Sequence, residues 1–197
     1  MFKRTFDFIF SLLLIILLSP VLIIISLIIA LDSKGGIIFN QKRAGKDNID
    51  FDIYKFRTMH LGSDKKGLLT VGAKDQRVTR AGYFLRKYKL DELPQLFNVL
   101  IGNMSFVGPR PEVRKYVELY NNEQLHVLDV KPGITDFASI DYANENEILA
   151  QSNSPEETYI KTVMPSKLEL NLKYIREQTF LTDMKIIFRT IAKVFFR

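Results

Sequence analysis

The chain has 197 residues, of which 47% are apolar and 25% charged, and its net charge is +6. That length suits one globular domain plus a membrane element. A basic balance beside an apolar segment points to anionic lipid and phosphorylated metabolites as partners rather than nucleic acid. The lack of cysteine excludes disulfides, thiolate metal sites and cysteine nucleophiles.

Phe8 to Leu31 carries no charge and consists almost entirely of Leu, Ile, Val and Phe. About 20 such residues in a helix cover the roughly 30 Å of a bilayer core. The run is too long for the h-region of a signal peptide, and no small-x-small cleavage site precedes Asp32. Ser19-Pro20 near its centre predicts a kink, because proline lacks an N–H and crowds the preceding turn. The carbonyl freed there needs a partner in lipid, which the Ser19 hydroxyl can supply. Lys3 and Arg4 precede the segment, and Lys34, Lys42, Arg43 and Lys46 follow it. Positive flanks prefer the cytoplasmic face. Since both are positive, a re-entrant helix that returns to its own side is expected over a spanning one.

Gly35-Gly36 breaks the chain. Ile37–Arg43 and Ile49–Arg57 read as two strands around a turn at 44–48. In the second, Ile49, Phe51 and Ile53 alternate with polar residues, and Lys55 continues the apolar phase. An ammonium is uncommon on a core face, so Lys55 reads as a site residue or as a lysine snorkelling from a strand end. Residues 61–80 read as a polar, mobile connection, followed by a short helix over Ala81–Tyr88 carrying Arg86.

A second helix is expected from Asp91 onward, with Leu93, Leu96, Phe97 and Leu100 as its stripe and Pro94 in its first turn. Asp91-Glu92 at that start is compatible with plain capping. The same carboxylates, close to Arg86, Lys87 and Lys89, also suit a phosphate site, where they can hold Mg²⁺ or attack phosphorus. Ser105–Pro111 reads as a proline-stiffened turn that presents Arg110, whose guanidinium can fork onto phosphate oxygens. Helices are expected over Glu112–Val127 and Pro155–Arg176, the latter broken near Pro165, with an irregular stretch around Lys131-Pro132-Gly133 between them. His60 and His126 lack metal-ligand spacing, and no P-loop or dinucleotide fingerprint is present.

At the C-terminus Leu181, Met184, Phe188, Ile191 and Phe195 form one stripe, while Lys185, Arg189, Lys193 and Arg197 recur on another face. Such a basic amphipathic helix suits the membrane interface, with ordinary core packing as the alternative.

The run Lys89-Leu90-Asp91-Glu92-Leu93-Pro94-Gln95-Leu96-Phe97-Asn98, with Gly102-Asn103-Met104-Ser105 and Val107-Gly108-Pro109-Arg110-Pro111, resembles the bacterial sugar transferases, the monotopic polyprenol-phosphate phosphoglycosyl transferases. The likeness extends upstream to Lys3–Asp7, Ser19-Pro20, Ile38-Phe39 and Tyr54–Met59, and downstream to Lys131–Thr135 and Phe180–Ile186. It implies an α+β, mainly helical fold. A re-entrant, Ser-Pro-kinked membrane helix over 1–34 would precede a catalytic domain over 35–197, which has a small β-hairpin and an interfacial helix at about 180–197.

The resemblance also implies a reaction. Asp91 would attack the β-phosphate of a UDP-sugar and release UMP, and polyprenol (undecaprenyl) phosphate would then take the sugar phosphate. Lys55, Arg86 and Arg110 would contact phosphates, and Asp91 and Glu92 would hold Mg²⁺. The setting implied is the bacterial inner membrane, with the catalytic domain and both termini on the cytoplasmic side, at the first membrane step of surface-glycan assembly. An N-acetylated amino sugar is the weakly preferred donor, and a homodimer is compatible with the family. Two features depart from many relatives: Asp136–Ala143 lacks their Gly-Trp-Ala-Gln-Val-Asn-Gly-Arg, and Asn171 stands where they have Asp. Two other readings of the residues remain: a non-catalytic membrane adaptor, and an enzyme of direct glycosyl transfer on the same lipid.

Overall fold

A computed structural model describes residues 2–63 and 75–195, with no account of the side chains of Val194 and Phe195. The fold is mainly helical, with a long apolar N-terminal helix and a small two-stranded antiparallel sheet. Helix α1 runs over Phe2–Asp32 without interruption at Pro20. Its length and hydropathy suffice to cross a membrane. The Ser19 hydroxyl donates to the Ile16 carbonyl at 2.8 Å. That is the acceptor four residues before Pro20, which proline leaves without its backbone donor.

Both ends of α1 are fixed to the rest of the molecule. Within α1 only Asp7, Ser11, Ile25 and Ile29 are buried, one i, i+4 pair near each end. At the first turn Arg4 donates to the Val99 and Leu100 carbonyls at 2.6 and 2.7 Å. Lys3 donates to the Val107 carbonyl at 3.0 Å and pairs with buried Asp183. At the other end the buried Arg57 donates to Ser33 O at 2.6 Å and Lys34 O at 2.7 Å. A cation is favoured there because the last carbonyls of a helix carry partial negative charge. Gly35, at φ +126°, makes room for it: a Cβ there would lie 2.1 Å from Arg57 Nη1.

Strands β1 (Ile38–Ala44) and β2 (Asp50–Phe56) form the expected hairpin, with Phe39 opposite Lys55. The two faces of β2 serve different neighbours. Ile53 packs with Val99 and Met104, and Phe56 packs with Ile25, Ile29 and Leu85. Of the polar connection at 61–80, residues 64–74 lie outside the described residues. Its two ends meet through a bridge between Met59 and Val78.

Helix α2 covers Arg80–Lys87, with the Thr79 side chain accepting from Gly82 N. The helix expected to begin at Asp91 has two parts. A 3-10 turn over Leu90–Glu92 follows Lys89, which sits in the left-handed region at φ 58°, and α3 proper covers Gln95–Ile101 with Pro94 at its cap. Asp91 is therefore one turn ahead of the α-helix. Asn98 anchors α3 to the free edge of β2, accepting from Tyr54 N at 2.9 Å and donating to the Asp52 carbonyl at 2.8 Å. This cross-link brings the Asp91-Glu92 turn up against Lys55.

Other boundaries also differ from expectation. Ser105–Val107 (β3) pairs in parallel with Gly133–Thr135 (β4), where a plain turn and an irregular stretch were expected. The helix expected over Glu112–Val127 reduces to α4 (Arg114–Val117) and a 3-10 segment at Gln124–Asp129. Asn121 and Gln124 break it by exchanging side-chain bonds with each other's backbone N–H at 3.0 and 2.9 Å. Short helices α5 (Phe137–Asp141), α6 (Glu145–Ala150) and α7 (Pro155–Thr158) follow. A π-helical stretch at Tyr159–Val163 then leads into α8 (Met164–Arg176), the interruption falling just before Pro165 as expected. Helix α9 covers Phe180–Phe195. Asp183 and Ile186 are its buried residues, while Leu181, Phe188 and Ile191 are exposed.

Candidate active site

The Asp91-Glu92 turn forms one wall of a cavity of about 210 Å³, whose lining includes Lys55, Arg86, Lys89 and Arg110. The residues nominated from the sequence come to it from β2, from the adjoining end of α2 and 3-10 turn, and from the loop after β3. The structure brings together all five residues that the sequence nominated, Lys55, Arg86, Asp91, Glu92 and Arg110. Ser19 and Pro20 lie in α1 and do not line it.

The two carboxylates of the turn are in different states. Glu92 is fully engaged. Lys55 donates to its Oε1 at 3.1 Å, and Arg110 grips both of its oxygens, reaching Oε2 at 3.2 Å. Burial alone would push Glu92 up, but the guanidinium and the ammonium outweigh it and hold it well below the usual carboxylate range. Asp91 is 8% exposed, and its Oδ1 has no hydrogen-bond partner. Burial, reinforced by the charge of Glu92, raises its carboxyl above the usual value, while Lys55 and Arg86 oppose the rise. Lys55 is pushed down by burial, against the pull of Glu92. Adjacent acids have thus been driven apart, one committed to an ion-pair network and the other available.

Arg110 is held by its backbone as well as its side chain. Its N–H donates to Asp136 Oδ2 at 3.3 Å, while Asp136 Oδ1 caps α5 through Ser139 N at 2.6 Å. Through that cap the stretch that departs from many relatives becomes cavity wall, since Ala138, Ser139, Tyr142 and Ala143 all line it. Sequence reasoning passed over Glu145, Asn146 and Lys167, which also line it. Lys167 pairs with Glu145 at 2.6 Å. These residues lie on helices with unremarkable periodicity, so only their convergence in space marks them. His126 is exposed and pairs with Asp129 at 2.8 Å, and among the described residues no group of three or more candidate metal ligands clusters.

Fold and site together define a protein with a bilayer-length apolar helix and, beside it, a cationic cavity bearing a buried carboxylate with one unpartnered oxygen. The chain belongs to the bacterial sugar transferase family, whose sequence model matches residues 1–197. It is similar to a UDP-glucose:undecaprenyl-phosphate glucose-1-phosphate transferase of Klebsiella pneumoniae, at 40% identity over 98% of this chain and 40% of the relative. The corresponding protein of Escherichia coli K12 is 39% identical over the same shares. A UDP-N-acetylgalactosamine-undecaprenyl-phosphate N-acetylgalactosaminephosphotransferase of Aeromonas hydrophila is 36% identical over 98% of this chain and 43% of the relative. The chain therefore spans about two-fifths of the length of these relatives.

Proposed function

We propose that this protein is a phosphoglycosyl transferase that moves a sugar 1-phosphate from a UDP-sugar to polyprenol phosphate through a covalent intermediate on Asp91. The observation that carries this reading is the unpartnered, buried Asp91 Oδ1 in a cationic cavity, beside a glutamate that is fully paired. In the first half-reaction an oxygen of Asp91 bonds to the β-phosphorus, the bond from that phosphorus to the bridging oxygen breaks, and UMP leaves. In the second, a phosphate oxygen of the polyprenol phosphate attacks the same phosphorus. The aspartyl–phosphorus bond breaks, and a polyprenyl-diphosphate sugar leaves with Asp91 restored.

Lys55, Arg86 and Arg110 neutralise the phosphate oxygens, and the Glu92 bridge keeps the ammonium and the guanidinium on one side of the cavity. The donor set suits Mg²⁺, which takes one or two carboxylates and completes its shell with phosphate oxygens and water. Asp91 Oδ1 has no partner to give up for it, and Glu92 would join only by exchanging part of its pairing with Lys55 and Arg110. Bound there, Mg²⁺ would offset charge on the transferring phosphoryl group.

For α1 we propose re-entry from the cytoplasmic side of the bacterial inner membrane, with α9 lying at the interface. The attachment of both helix ends to one body, and the outward apolar residues Leu181 and Phe188, support this. The resulting lipid-linked sugar would begin a surface glycan.

The test is turnover. Purified protein with UDP-sugars, Mg²⁺ and polyprenol phosphate should release UMP. Without the lipid acceptor, mass spectrometry should find a sugar-phosphate adduct, which Asp91→Asn abolishes together with turnover. Turnover retained in Asp91→Asn would mean direct transfer, and no UMP from any donor would favour an adaptor.

A further inference from the structure

Beyond Arg110 lies a second cavity of about 210 Å³, lined by Arg43, Glu112, Tyr116, Tyr159 and Asn171 but by neither carboxylate of the Asp91-Glu92 turn. Arg110, Glu145, Asn146 and Lys167 face both cavities. The two are therefore neighbours across a shared cationic wall.

Its wall is polar and held in place. Arg43 donates to Gln41 Oε1 at 2.7 Å and to Glu112 Oε1 at 3.2 Å, and Glu112 in turn accepts from the Tyr159 hydroxyl. Two buried polar atoms of the lining residues have no partner, Arg43 Nε and Asn171 Oδ1. Asn171 is only 5% exposed. Buried polar groups are nearly always paired, so each orphan needs a reason.

We propose that this cavity is the subsite for the sugar ring of the donor, and that Asn171 reads one of the ring's substituents. The proposal rests on the phosphoglycosyl transfer reading of Asp91. A sugar ring is neutral, and each hydroxyl both donates and accepts. The wall matches it with a guanidinium, a carboxylate, phenol hydroxyls and an amide that does both. Tyrosine rings supply the apolar surface that the C–H face of a pyranose needs. Connectivity points the same way. The sugar is bonded through one oxygen to the phosphorus that Asp91 attacks, so its place must adjoin the phosphate cavity. It also stays on that phosphorus through both half-reactions, which suits a fixed pocket behind the phosphate wall. The nucleotide and the lipid, by contrast, must exchange.

Asn171→Asp keeps an acceptor where Oδ1 stands but adds charge and loses the amide donor, whereas Asn171→Ser withdraws the acceptor from that position. The experiment compares wild type with Asn171→Asp and Asn171→Ser on UDP-glucose, UDP-galactose and their N-acetylated counterparts. It measures kcat/KM for each donor and inhibition by UMP. Losing one hydrogen bond to a ring substituent should change the preference between two donors by about tenfold or more, with UMP inhibition unchanged. A uniform loss on every donor would overturn the proposal in favour of a structural role. Weakened UMP inhibition in parallel would overturn it in favour of a nucleoside subsite, and unaltered kinetics would show the cavity is not used. If wild type releases no UMP from any donor, the transfer reading itself fails. If wild type turns over while donor preference ignores Asn171, only the sugar subsite fails.

Discussion

Asp91 and Glu92 are neighbours in sequence with the same functional group, yet burial and partners send their protonation in opposite directions. This has consequences for rate and for stability. If Asp91 is the nucleophile, only its ionised form reacts, and burial raises its pKa above the ordinary aspartate value of 3.8. The acid limb of kcat/KM, which reports the free enzyme, should therefore have its midpoint above 3.8. A limb at or below that value would count against Asp91 as the titrating group. For Glu92 the sign is reversed. Its folded pKa lies below the unfolded value near 4.5, so the unfolded chain binds more protons between those two values. The stability it contributes is complete above about 4.5 and is lost as pH falls through the lower folded pKa. Glu92→Gln leaves Lys55 and Arg110 without their shared acceptor, which should cost roughly 3 kcal/mol near neutral pH. The gap to wild type should narrow as the solution is made more acidic. Thermal denaturation across that pH range measures both, and a gap that stays constant with pH would show that the pair's ionisation is not coupled to folding.

At the scale of elements, the site is held by contacts between segments far apart in sequence, and this governs what the sequence could disclose. The hairpin, α2 and the membrane helix were legible because each repeats its signal over seven or more residues. The Ser19–Ile16 bond was foreseeable because proline frees one particular carbonyl. Three-residue strands carry no alternation to read, so the parallel β3–β4 pair was hidden. The second cavity was hidden for a related reason: Arg43, Glu112, Tyr159 and Asn171 lie on a strand, a loop, a π-helical turn and a helix that meet only once folded. A helix start at Asp91 was nearly right, but Lys89 in the left-handed region sets Leu90–Glu92 off as a separate turn and so aims the carboxylates at β2. The β3–β4 contact offers a sharp test. A Cβ on Gly133 would lie 2.1 Å from Gly108 N, backbone that cannot move aside cheaply. Gly133→Ala should therefore destabilise the protein by about 1–3 kcal/mol. It should also lower turnover, because Gly108 leads directly into Arg110. A variant with wild-type melting and activity would mean that the two strands separate at no cost.

For the whole molecule the question is how the proposed transferase would present its cationic site to two substrates, one soluble and one in lipid. A straight helix of 31 residues would measure about 46 Å, more than a bilayer core needs. Were α1 to span, Lys3 and Arg57 would anchor its ends on opposite faces of the membrane. Yet Arg4 holds the end of α3, Arg57 holds the end of α1 to β2, and Asn98 ties α3 to β2. These links form a closed circuit through one folded body, and a body cannot lie on both sides of a bilayer unless it is itself embedded. No residue from Leu12 to Ile24 is buried, so the apolar middle of the helix is left for lipid. The lipid phosphate would then reach Asp91 from the membrane surface, and the nucleotide sugar from the aqueous side of the same surface. Because the chain lacks cysteine, single cysteines report position without background. Placed at Phe2 and at Lys46, both should react with a membrane-impermeant maleimide in inside-out vesicles and neither in intact cells. Labelling of either position from outside would replace re-entry with a spanning helix, and the circuit through Arg4, Asn98 and Arg57 would then have to break in the membrane.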